Sequence, residues 1–476
     1  MLRAHSVAQI RAAEEELAAT LPPGTLMARA ALGLAEHLDD IPAGDLVLML
    51  IGPGNNGGDA LFAAVHLRDR GVRVDLCLLD SDTVHAEGLS AALAAGAQIV
   101  EEPTAQRLCV DAIFGIGARP GLTGKAASWA QWIAATEPEV FAVDVPSGVD
   151  VDGGTLPEVY VKADTTITFG TDKAALLVNP AAAVSGVVHF VDIGLGEFLG
   201  EPIVEAIDYD DGHLLADLLR PMTDPSASIH KYSRGVVGIA AGSNQYAGAA
   251  HLCVAGAQTG LAGMVRFIGS SALSARVVDR APEVVTGRGR VQAWVVGPGG
   301  GKDAPKQLKL ALGDGVPLVI DATALAHIPT SFEVPVLLTP HAGELATMMG
   351  TTRVAVESDP LGHATAAAER WNATVLLKGA HTLIAQQGRP TRVNLSGSAW
   401  LGTAGAGDVL AGLAGSFMAA GASPYDAGSL AAFLHGAASV RANPNGPIIA
   451  SDVVQELPGT IADFYNGCLD EVPSWA

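Results

Sequence analysis

Short apolar runs alternate with stretches of helical spacing through the first part of the chain. Such runs lie at 46–51, 73–79, 109–114, 140–145, 165–169 and 188–193. Each run has the length of a buried strand, and helical stretches separate most of them, beginning with 6–19, for which Ser6 is the predicted N-cap. Strands that alternate with helices at this spacing predict a mostly parallel sheet covered on both faces.

The alternation breaks between 195 and 225, where glycines, prolines and an acidic run at 208–211 interrupt it. It resumes at 235–242, and further strands are predicted at 264–268, 292–297, 317–321, 335–338, 374–378 and 382–386. An alanine-rich helical stretch follows over 409–443. We therefore predict an α/β protein of two domains, 1–212 and 213–476, in which 213–220 is either the first helix of the second domain or a linker helix.

The composition indicates folded domains and argues against some classes of partner. Of the 476 residues, 49% are hydrophobic and 16% are charged, a balance typical of large buried cores. The 28 basic and 50 acidic residues give a net charge of −22, so we expect no nucleic-acid and no membrane partner. A phosphorylated ligand would have to be held by local backbone donors and a few placed cations.

The cysteines and the N-terminus do not indicate secretion. The four cysteines show neither a CxxC pair nor a zinc spacing, which indicates a reducing compartment. The first residues lack the apolar core of a signal peptide, and no run of about 18 apolar residues occurs. We therefore expect a cytoplasmic location and no membrane span.

The sequence Gly405-Ala406-Gly407-Asp408 precedes an apolar helical run and carries the strongest chemical signal. Unpaired backbone N–H groups at a helix N-terminus bind anions, and glycine lets a phosphate come close to the backbone. A carboxylate beside such a cradle can take a proton from a hydroxyl group that is about to meet the phosphate. The stretch predicts a phosphoryl-transfer site, although Asp408 alone is also compatible with a helix cap.

A second glycine-rich stretch, GPGNNGGD at 52–59, lies between a predicted strand and a helical pattern that begins at Ala60. This order is typical of a phosphate or nucleotide pocket in an α/β fold. The alternative reading of 55–58 is a tight turn alone.

Asp111, Asp144 and Ser147 follow neighbouring predicted strands. Because parallel strands end at one edge of a sheet, we expect these side chains to converge with Asn56. Oxygen ligands of this kind suit a hard cation, whereas a lone Asp at a strand end is more often a turn former or a helix cap.

Three elements, GPGNNGGD at 52–59, DAIFGIG at 111–117 and VDVPSGVD at 143–150, together resemble the NAD(P)H-hydrate epimerase family over most of residues 1–212. The resemblance implies a Rossmann-like three-layer α/β/α sandwich that interconverts the two epimers of hydrated NADH or NADPH. Hydroxide would leave and return through an iminium-like state, for which a single carboxylate suffices as acid and base.

The same resemblance implies roles for individual residues. Asp144 would be the acid/base, and a potassium ion would be held by Asn56, Asp111 and Ser147. The substrate would be lined by Asn55, Asn56, Gly57, Gly58, Asp59, Gly115, Gly117, Arg119, Gly121 and Asp144.

The second domain resembles the ribokinase-like fold and, more narrowly, the ADP-dependent NAD(P)H-hydrate dehydratase family. The elements in family order are GSNQYAGA at 242–249, VGPG at 296–299, VIDA at 319–322, LTPHAGE at 338–344, LKGAHT at 377–382 and the final GAGD. The resemblance implies that Asp408 deprotonates the ring hydroxyl, whose oxygen attacks the terminal phosphoryl group of ADP. The phosphorylated oxygen then leaves and NAD(P)H is restored.

This resemblance also implies binding residues. The hydrate would be lined by Ala249, Gly299, His341 and Asp408, and the nucleotide, with magnesium, would be contacted by Lys378, Gly379, Ala380, His381, Thr382, Gly405 and Gly407. Two of these have structural alternatives, since His341 is also compatible with a helix cap and Lys378 with a solvated strand end. His435, in an alanine-rich helical stretch, is predicted to be a packing histidine with satisfied hydrogen bonds.

The leading hypothesis is a bifunctional repair enzyme for hydrated nicotinamide cofactors. One alternative is a ribokinase-like kinase of a small hydroxylated metabolite, and another is an inactive nucleotide-binding N-terminal domain. The choice between ADP and ATP rests on resemblance alone. Because both families commonly self-associate, we expect a homo-oligomer that acts on small molecules.

Overall fold

The structure is a computed structural model that describes residues 1–104, 106–216, 218–219, 229–444 and 446–469. Its contacts divide the chain into two compact units. The first unit is Arg3–Val204, and the second unit starts at Glu205 and includes Met1 and Leu2. The division falls a few residues before position 212. A 3₁₀ turn at Asp211–Leu215 overlaps the start of the predicted helix 213–220. Positions 217 and 220 of this predicted helix lie outside the described residues.

The sheet of the first unit is parallel throughout, as the sequence pattern predicts. After the short strand β1 (Leu2–Ala4), its seven strands are β2 (Leu46–Ile51), β3 (Arg73–Leu78), β4 (Gln98–Val100), β5 (Leu108–Ala112), β6 (Glu139–Val143), β7 (Thr165–Phe169) and β8 (Val187–Val191). Their spatial order is β4-β3-β2-β5-β6-β7-β8. The chain therefore moves outward from β2 in one direction and from β5 in the other, which creates a switch point between these two strands.

The helices of the first unit are α1 (Val7–Ala18), α2 (Thr25–His37), α3 (Gly54–Asp69), α4 (Ala86–Ala94), α5 (Gly124–Thr136) and α6 (Ala174–Leu177). Ser6 caps α1 through a capping box with Gln9, so the predicted N-cap is confirmed. The predicted helix start at Ala60 is wrong: α3 begins at Gly54, so Asn55–Asp59 form helical turns. Gly57 lies against the Gly52 carbonyl, where a Cβ would collide, so only glycine fits at this position of the first turns.

The second unit contains a mixed sheet. Its strands are β9 (Val204–Ala206), β10 (Val236–Ala240), β11 (Met264–Phe267), β12 (Val285–Thr286), β13 (Ala293–Val296), β14 (Leu318–Ile320), β15 (Val336–Leu338), β16 (Thr374–Leu377), β17 (Thr382–Ala385) and β18 (Thr391–Asn394). The order is β1-β9-β18-β17-β16-β15-β14-β13-β10-β11-β12. Strands β10 to β16 pair in parallel, and β17 pairs antiparallel with both of its neighbours. The seven strands predicted here are confirmed, whereas β9, β12 and β18 were not predicted.

The helices of the second unit are α7 (Ala247–Thr259), α8 (Ser271–Arg280), α9 (Ala304–Gly313), α10 (Ala342–Met349), α11 (Arg353–Ser358), α12 (Pro360–Trp371), α13 (Ala406–Ala419), α14 (Pro424–Ala442) and α15 (Ala450–Tyr465). The helical stretch predicted over 409–443 is thus two helices, separated where Gly421 adopts φ +112°. Across the described part of the chain, no helix has the length and apolar character that a bilayer span requires.

Helices α7 and α13 contact each other through their backbones. A Cβ at Gly256 of α7 would collide with the Val409 carbonyl, and a Cβ at Gly412 of α13 would collide with the Cys253 carbonyl. Val409 and Cys253 are both fully buried. The two glycines therefore set how closely these helices approach.

We expect Gly412→Ala to lower the free energy of unfolding by roughly 1–3 kcal/mol, because the added methyl group forces the helices apart. Gly313→Ala, at the end of α9, is the matched control, since nothing lies within 4 Å of a Cβ there. Alanine favours helices, so this control should be neutral or slightly stabilising. Denaturant unfolding compares the two, and equal stability of both variants would contradict the close-contact argument.

Two candidate active sites

The first candidate site lies at the switch point between β2 and β5. Ligands of open α/β sheets bind there, outside the carboxyl ends of the strands. The segments that follow the two strands meet closely, since the Gly52 N–H donates to the Ala112 carbonyl over 3.0 Å. A Cβ at Gly52 would collide with the Ile113 carbonyl, so only glycine fits between these segments.

Asp111 and Ser147 form a fully buried pair at this edge. Ser147 donates to the carboxylate twice, from Oγ to Oδ1 over 2.6 Å and from its backbone N–H to Oδ2 over 2.8 Å. Burial raises the pKa of Asp111 to about 6, and the Ser147 and Ile113 hydrogen bonds oppose this shift. The Phe114 N–H donates to Ser147 Oγ over 2.9 Å. The pair thus links the segment after β5 to the segment after β6.

The Asn56 side chain, in the first turn of α3, reaches both of these segments. With the amide oriented to satisfy both ends, Nδ2 donates to the Val143 carbonyl over 3.1 Å and Oδ1 accepts from the Gly115 N–H over 3.2 Å. Gly115 directly follows Phe114, which contacts Ser147. The three residues predicted to hold a cation therefore come from neighbouring strand ends and are connected through adjacent backbone. Carboxylate, amide and hydroxyl oxygens are the donors that a hard cation prefers.

Asp144 follows β6 and adopts φ +70°, in the left-handed region that is uncommon for residues other than glycine. Its Oδ1 accepts from Lys173 Nζ over 2.5 Å in an ion pair whose lysine side chain is only 1% exposed. Lys173 Nζ also donates to Thr168 Oγ1 over 2.8 Å and to the Phe169 carbonyl over 2.9 Å. A buried ammonium group with three acceptors holds Asp144 in a fixed position beside the strand ends.

Two further carboxyl groups lie near Asp144. Asp59 of α3 is buried, and its pKa is raised well above the usual value by burial and by the charges of Asp144 and Glu14. Burial and the charge of Asp144 also raise the pKa of Glu14 on α1, while Lys173 and Arg11 oppose this shift. The site therefore combines one ion-paired carboxylate with two carboxyl groups whose neutral forms are favoured.

Lys173 and Glu14 were not predicted as site residues. Lys173 follows the carboxyl end of the strand predicted at 165–169. A charged residue after a strand of this sheet was a usable signal for a site residue. Glu14 lies in a predicted helix and carries no local signal.

The other predicted residues of this site differ in exposure. Gly57 and Gly58 are buried in α3, whereas Asn55 and Arg119 are exposed. A Cβ at Gly117 would lie 2.7 Å from the Arg11 guanidinium, which places this glycine next to α1. The Gly121 N–H donates to the Gly148 carbonyl over 2.8 Å, which links two segments of the same edge. Asp150 and Asp152 accept turn and helix-cap hydrogen bonds, as turn formers and caps do.

The second candidate site lies at the carboxyl ends of β14, β15 and β16. Lys378 Nζ donates to Oδ1 of the buried Asp321 over 2.7 Å, and Thr339 Oγ1 donates to the same oxygen over 2.8 Å. Burial lowers the pKa of Lys378, but the charges of Asp321, Glu344 and Asp408 outweigh burial and raise it overall. Lys378 is therefore a charged ammonium group rather than a solvated strand end.

Helix α13 brings the GAGD sequence to this ammonium group. Gly405 is the N-cap at φ +91°, so the residues from Ala406 onward form the first turn, whose N–H groups have no intrahelical acceptor. A Cβ at Gly407 would lie 3.5 Å from Lys378 Nζ. Burial and the charge of Asp321 raise the pKa of Asp408 to about 6, and Lys378 opposes this shift. A carboxyl group, an ammonium group and a helix N-terminus thus meet in one place.

His341 caps helix α10. Its ring Nδ1 accepts from the Glu344 backbone N–H over 3.1 Å, and the His341 backbone N–H donates to Glu344 Oε2 over 2.9 Å. The His341 side chain is 59% exposed. The His341 backbone forms an isolated β-bridge with the backbone of Lys378. His341 therefore has the capping role that the sequence left open, and it lies next to the second site.

The remaining predicted residues occupy three segments around this site. Gly299 is in contact with Ala249, since a Cβ at Gly299 would collide with the Ala249 side chain. Gly379, Ala380 and His381 form the turn between β16 and β17, where Thr382 Oγ1 accepts from the Gly379 N–H over 3.4 Å. The turn therefore follows directly from Lys378.

His435 of α14 differs from the prediction of a satisfied packing histidine. The residue is 6% exposed, and burial lowers its pKa to about 4, while a hydrogen bond with the Ala406 backbone opposes this shift. Within the described ranges, its Nε2 has no hydrogen-bond partner. The ring is therefore neutral and contacts the first residue of α13.

Comparisons with known proteins match both units. Residues 23–175 match the family described as YjeF-related protein N-terminus, and residues 237–458 match the family described as NAD(P)H-hydrate dehydratase. A bifunctional NAD(P)H-hydrate repair enzyme Nnr of Mycobacterium leprae is 40% identical over 469 residues, covering 93% of this chain and 95% of the relative. The enzyme of the same name from Mycobacterium tuberculosis strain H37Rv is 39% identical, with coverages of 88% and 89%.

Among solved structures, the chain is similar to an ADP/ATP-dependent NAD(P)H-hydrate dehydratase from Bacillus subtilis co-crystallized with ATP and Mg²⁺. The TM-score is 0.48 and the sequence identity is 26%, with 51% of this chain and 94% of that chain covered.

We expect Ser147→Ala to destabilise the first unit by about 1–3 kcal/mol, because Asp111 Oδ1 and the Phe114 N–H would each lose a buried partner. Ser128→Ala on the exposed face of α5 is the control, since Ser128 Oγ donates only to the Gly124 carbonyl over 3.3 Å. Thermal unfolding of both variants measures the difference. A Ser147→Ala protein as stable as the Ser128→Ala protein would show that the buried network contributes nothing to folding.

Proposed function

The chain belongs to the family of bifunctional NAD(P)H-hydrate repair enzymes, and on that premise we propose how its two units divide the repair. The first unit interconverts the R and S epimers of hydrated NADH or NADPH. The second unit converts the S form back to NAD(P)H with ADP, releasing AMP and phosphate. The observation that carries the proposal is the position of Asp408, which lies beside Lys378 at the N-terminus of α13.

In the second unit, Asp408 removes the proton of the ring hydroxyl, and the resulting oxygen attacks the terminal phosphoryl group. The N–H groups at the start of α13 stabilise the negative charge that develops on the phosphoryl oxygens. The ring nitrogen then expels the phosphorylated oxygen, and the double bond returns. Ala249, Gly299 and His341 would line the hydrate, which agrees with the contact between Ala249 and Gly299.

The nucleotide would lie along the turn from Lys378 to Thr382 and at Gly405 and Gly407. In a chain with a net charge of −22, Lys378 supplies a cation at the point where phosphates must be held. Magnesium would accompany the nucleotide, because it is usually bound through the phosphates of its ligand.

In the first unit, Asp144 is the proposed acid/base for the loss and return of the ring hydroxyl. Asn55–Asp59 at the start of α3 and the segment from Gly115 to Gly121 would line the hydrate. Potassium would be held by Asn56, Asp111 and Ser147, whose oxygens fit a hard monovalent cation. A bound cation near the site would fix these segments and add positive charge where hydroxide departs. The cytoplasmic location, the homo-oligomeric state and the absence of nucleic-acid and membrane partners stay predictions.

The test is recovery of reduced-nicotinamide absorbance from a mixture of the two hydrate epimers. With ADP, magnesium and potassium, the wild-type chain should restore all of the absorbance. Asp144→Asn should stop near half, because only the S form is consumed, and omission of potassium should slow the second half alone. Asp408→Asn should restore no absorbance while still interconverting the epimers, as separated by chromatography.

The same assay distinguishes the kinase alternative. An intact phosphorylated hydrate that accumulates without recovery of absorbance would identify a kinase and contradict the dehydratase assignment. Unchanged recovery by Asp144→Asn would remove Asp144 from the epimerase site.

Dehydration should depend on pH through Asp408. Because its pKa is raised to about 6 and the base must be ionised, kcat/KM for the S form should rise with pH through about 6 and level off above it. Activity is therefore lost as pH falls. A pH profile with the pure S epimer measures the midpoint, and a midpoint near the ordinary carboxyl value of about 4 would contradict a half-buried, partly desolvated base.

A further inference from the structure

The ion pair between Lys173 and Asp144 has no role in the function described so far. The three protons of the Lys173 ammonium group are all in use, on Asp144 Oδ1, Thr168 Oγ1 and the Phe169 carbonyl. The side chain is 1% exposed, so water does not replace these partners. Lys173 therefore acts as a fixed positive charge and not as a proton donor.

The hydrogen bonds to Asp144 are one-sided. Lys173 Nζ, Thr168 Oγ1 at 3.3 Å and the Phe169 N–H at 3.5 Å all reach Oδ1. Among the residues that the structure describes, none donates to Oδ2. The carboxylate is therefore anchored through one oxygen, and the other oxygen remains available for proton transfer at a side chain that is 12% exposed.

Asp59 has the opposite environment. It is buried, and no cation pairs with it in the described part of the chain. It lies one helical turn after Asn56, on the same face of α3, and Asn56 contacts Val143 directly before Asp144. The charged groups around the two carboxyls are Glu14 and Arg11 from α1 and Lys173 before α6. Burial without a cation favours a neutral Asp59, whereas Asp144 is held by the ammonium group of Lys173.

A single carboxyl group would have to change its protonation state between the two steps of epimerisation. The departing hydroxyl must gain a proton on one face of the ring, and the incoming water must lose one on the other face. With two neighbouring carboxyl groups in different protonation states, one group acts at each face, and the substrate ring keeps one orientation throughout.

We propose that Lys173 is a positioning residue that divides this work, with Asp144 as the base and Asp59 as the acid. Asp59 gives its proton to the ring hydroxyl, the C–O bond breaks, and water leaves as the ring nitrogen forms an iminium. Water then attacks the opposite face, the new C–O bond forms, and Asp144 takes the proton. Exchange with solvent removes this proton from Asp144 and returns one to Asp59 before the next turnover. The reverse direction uses the same pair with exchanged roles. This inference rests on the proposed epimerase function of the first unit.

The experiment measures epimerisation of the pure R form by the full-length chain, without nucleotide, from pH 5 to 10. Lys173→Met should lower kcat at least about tenfold at pH 6, with little change in KM, and should move the acidic limb of the profile to higher pH. Asp59→Asn should lower kcat about a hundredfold and remove the basic limb. Lys162→Met and Asp69→Asn are exposed controls and should behave as wild type.

The outcomes separate this proposal from the function on which it rests. A wild-type chain that dehydrates the S form but leaves the R form unchanged refutes the epimerase function itself. A working wild type, together with an Asp59→Asn protein of normal kcat or an unmoved acidic limb in Lys173→Met, refutes the division of roles only. Dehydratase activity and a melting curve report folding of each variant. If Lys173→Met does not fold, the near-isosteric Asp59→Asn decides the question.

Discussion

Both units depend on one constraint, which is that parallel strands end at the same edge of a sheet. In the first unit this brings the residues after β2, β5 and β6 together, although more than 80 residues of chain separate Asn56 from Asp144. In the second unit it brings Asp321, Thr339 and Lys378 into one hydrogen-bonded group. Glycines with no room for a side chain, such as Gly52, let the connecting segments converge. The chemistry of each site follows from this shared edge.

Each site also pairs a lysine, fully buried in the first site and partly buried in the second, with one carboxylate, and in the described part of the chain another carboxyl group forms no ion pair. Lys173 pairs with Asp144, and Lys378 pairs with Asp321. Removing a charge from water is costly unless a partner compensates, so each lysine offsets the burial cost of the carboxylate that it contacts. In the second unit the unpaired group is Asp408, whose raised pKa suits a base that works near neutral pH. Both sites thus combine a lysine–carboxylate ion pair with a second carboxyl group. The proposed base is the paired carboxylate in the first site and the second carboxyl group in the other.

The sequence was sufficient where a local pattern determines structure. Apolar runs predicted the six main strands of the first sheet, and Ser6 with Gln9 predicted the start of α1. It was insufficient where distant contacts decide. The start of α3 at Gly54 was missed because glycine and asparagine disfavour helices, and the contact of Gly57 with the β2 end overrides that preference.

The candidate sites show the same division. The GAGD sequence could be placed at a helix N-terminus because its chemistry is local. Lys173, Glu14 and Asp321 were not assigned roles, because their importance comes from partners far away in the chain. His435 was misjudged for the same reason, since its environment is set by the distant Ala406.

The backbone contact between α7 and α13 has a mechanical consequence. Gly256 and Gly412 leave no side-chain layer between the helices that could deform, so the two helices move as one rigid piece. Ala249 lies in α7 and Asp408 lies in α13, so the distance between them is set before a ligand binds. A Cβ at position 256 or 412 would collide with the backbone of the facing helix, so each of these positions is restricted to glycine.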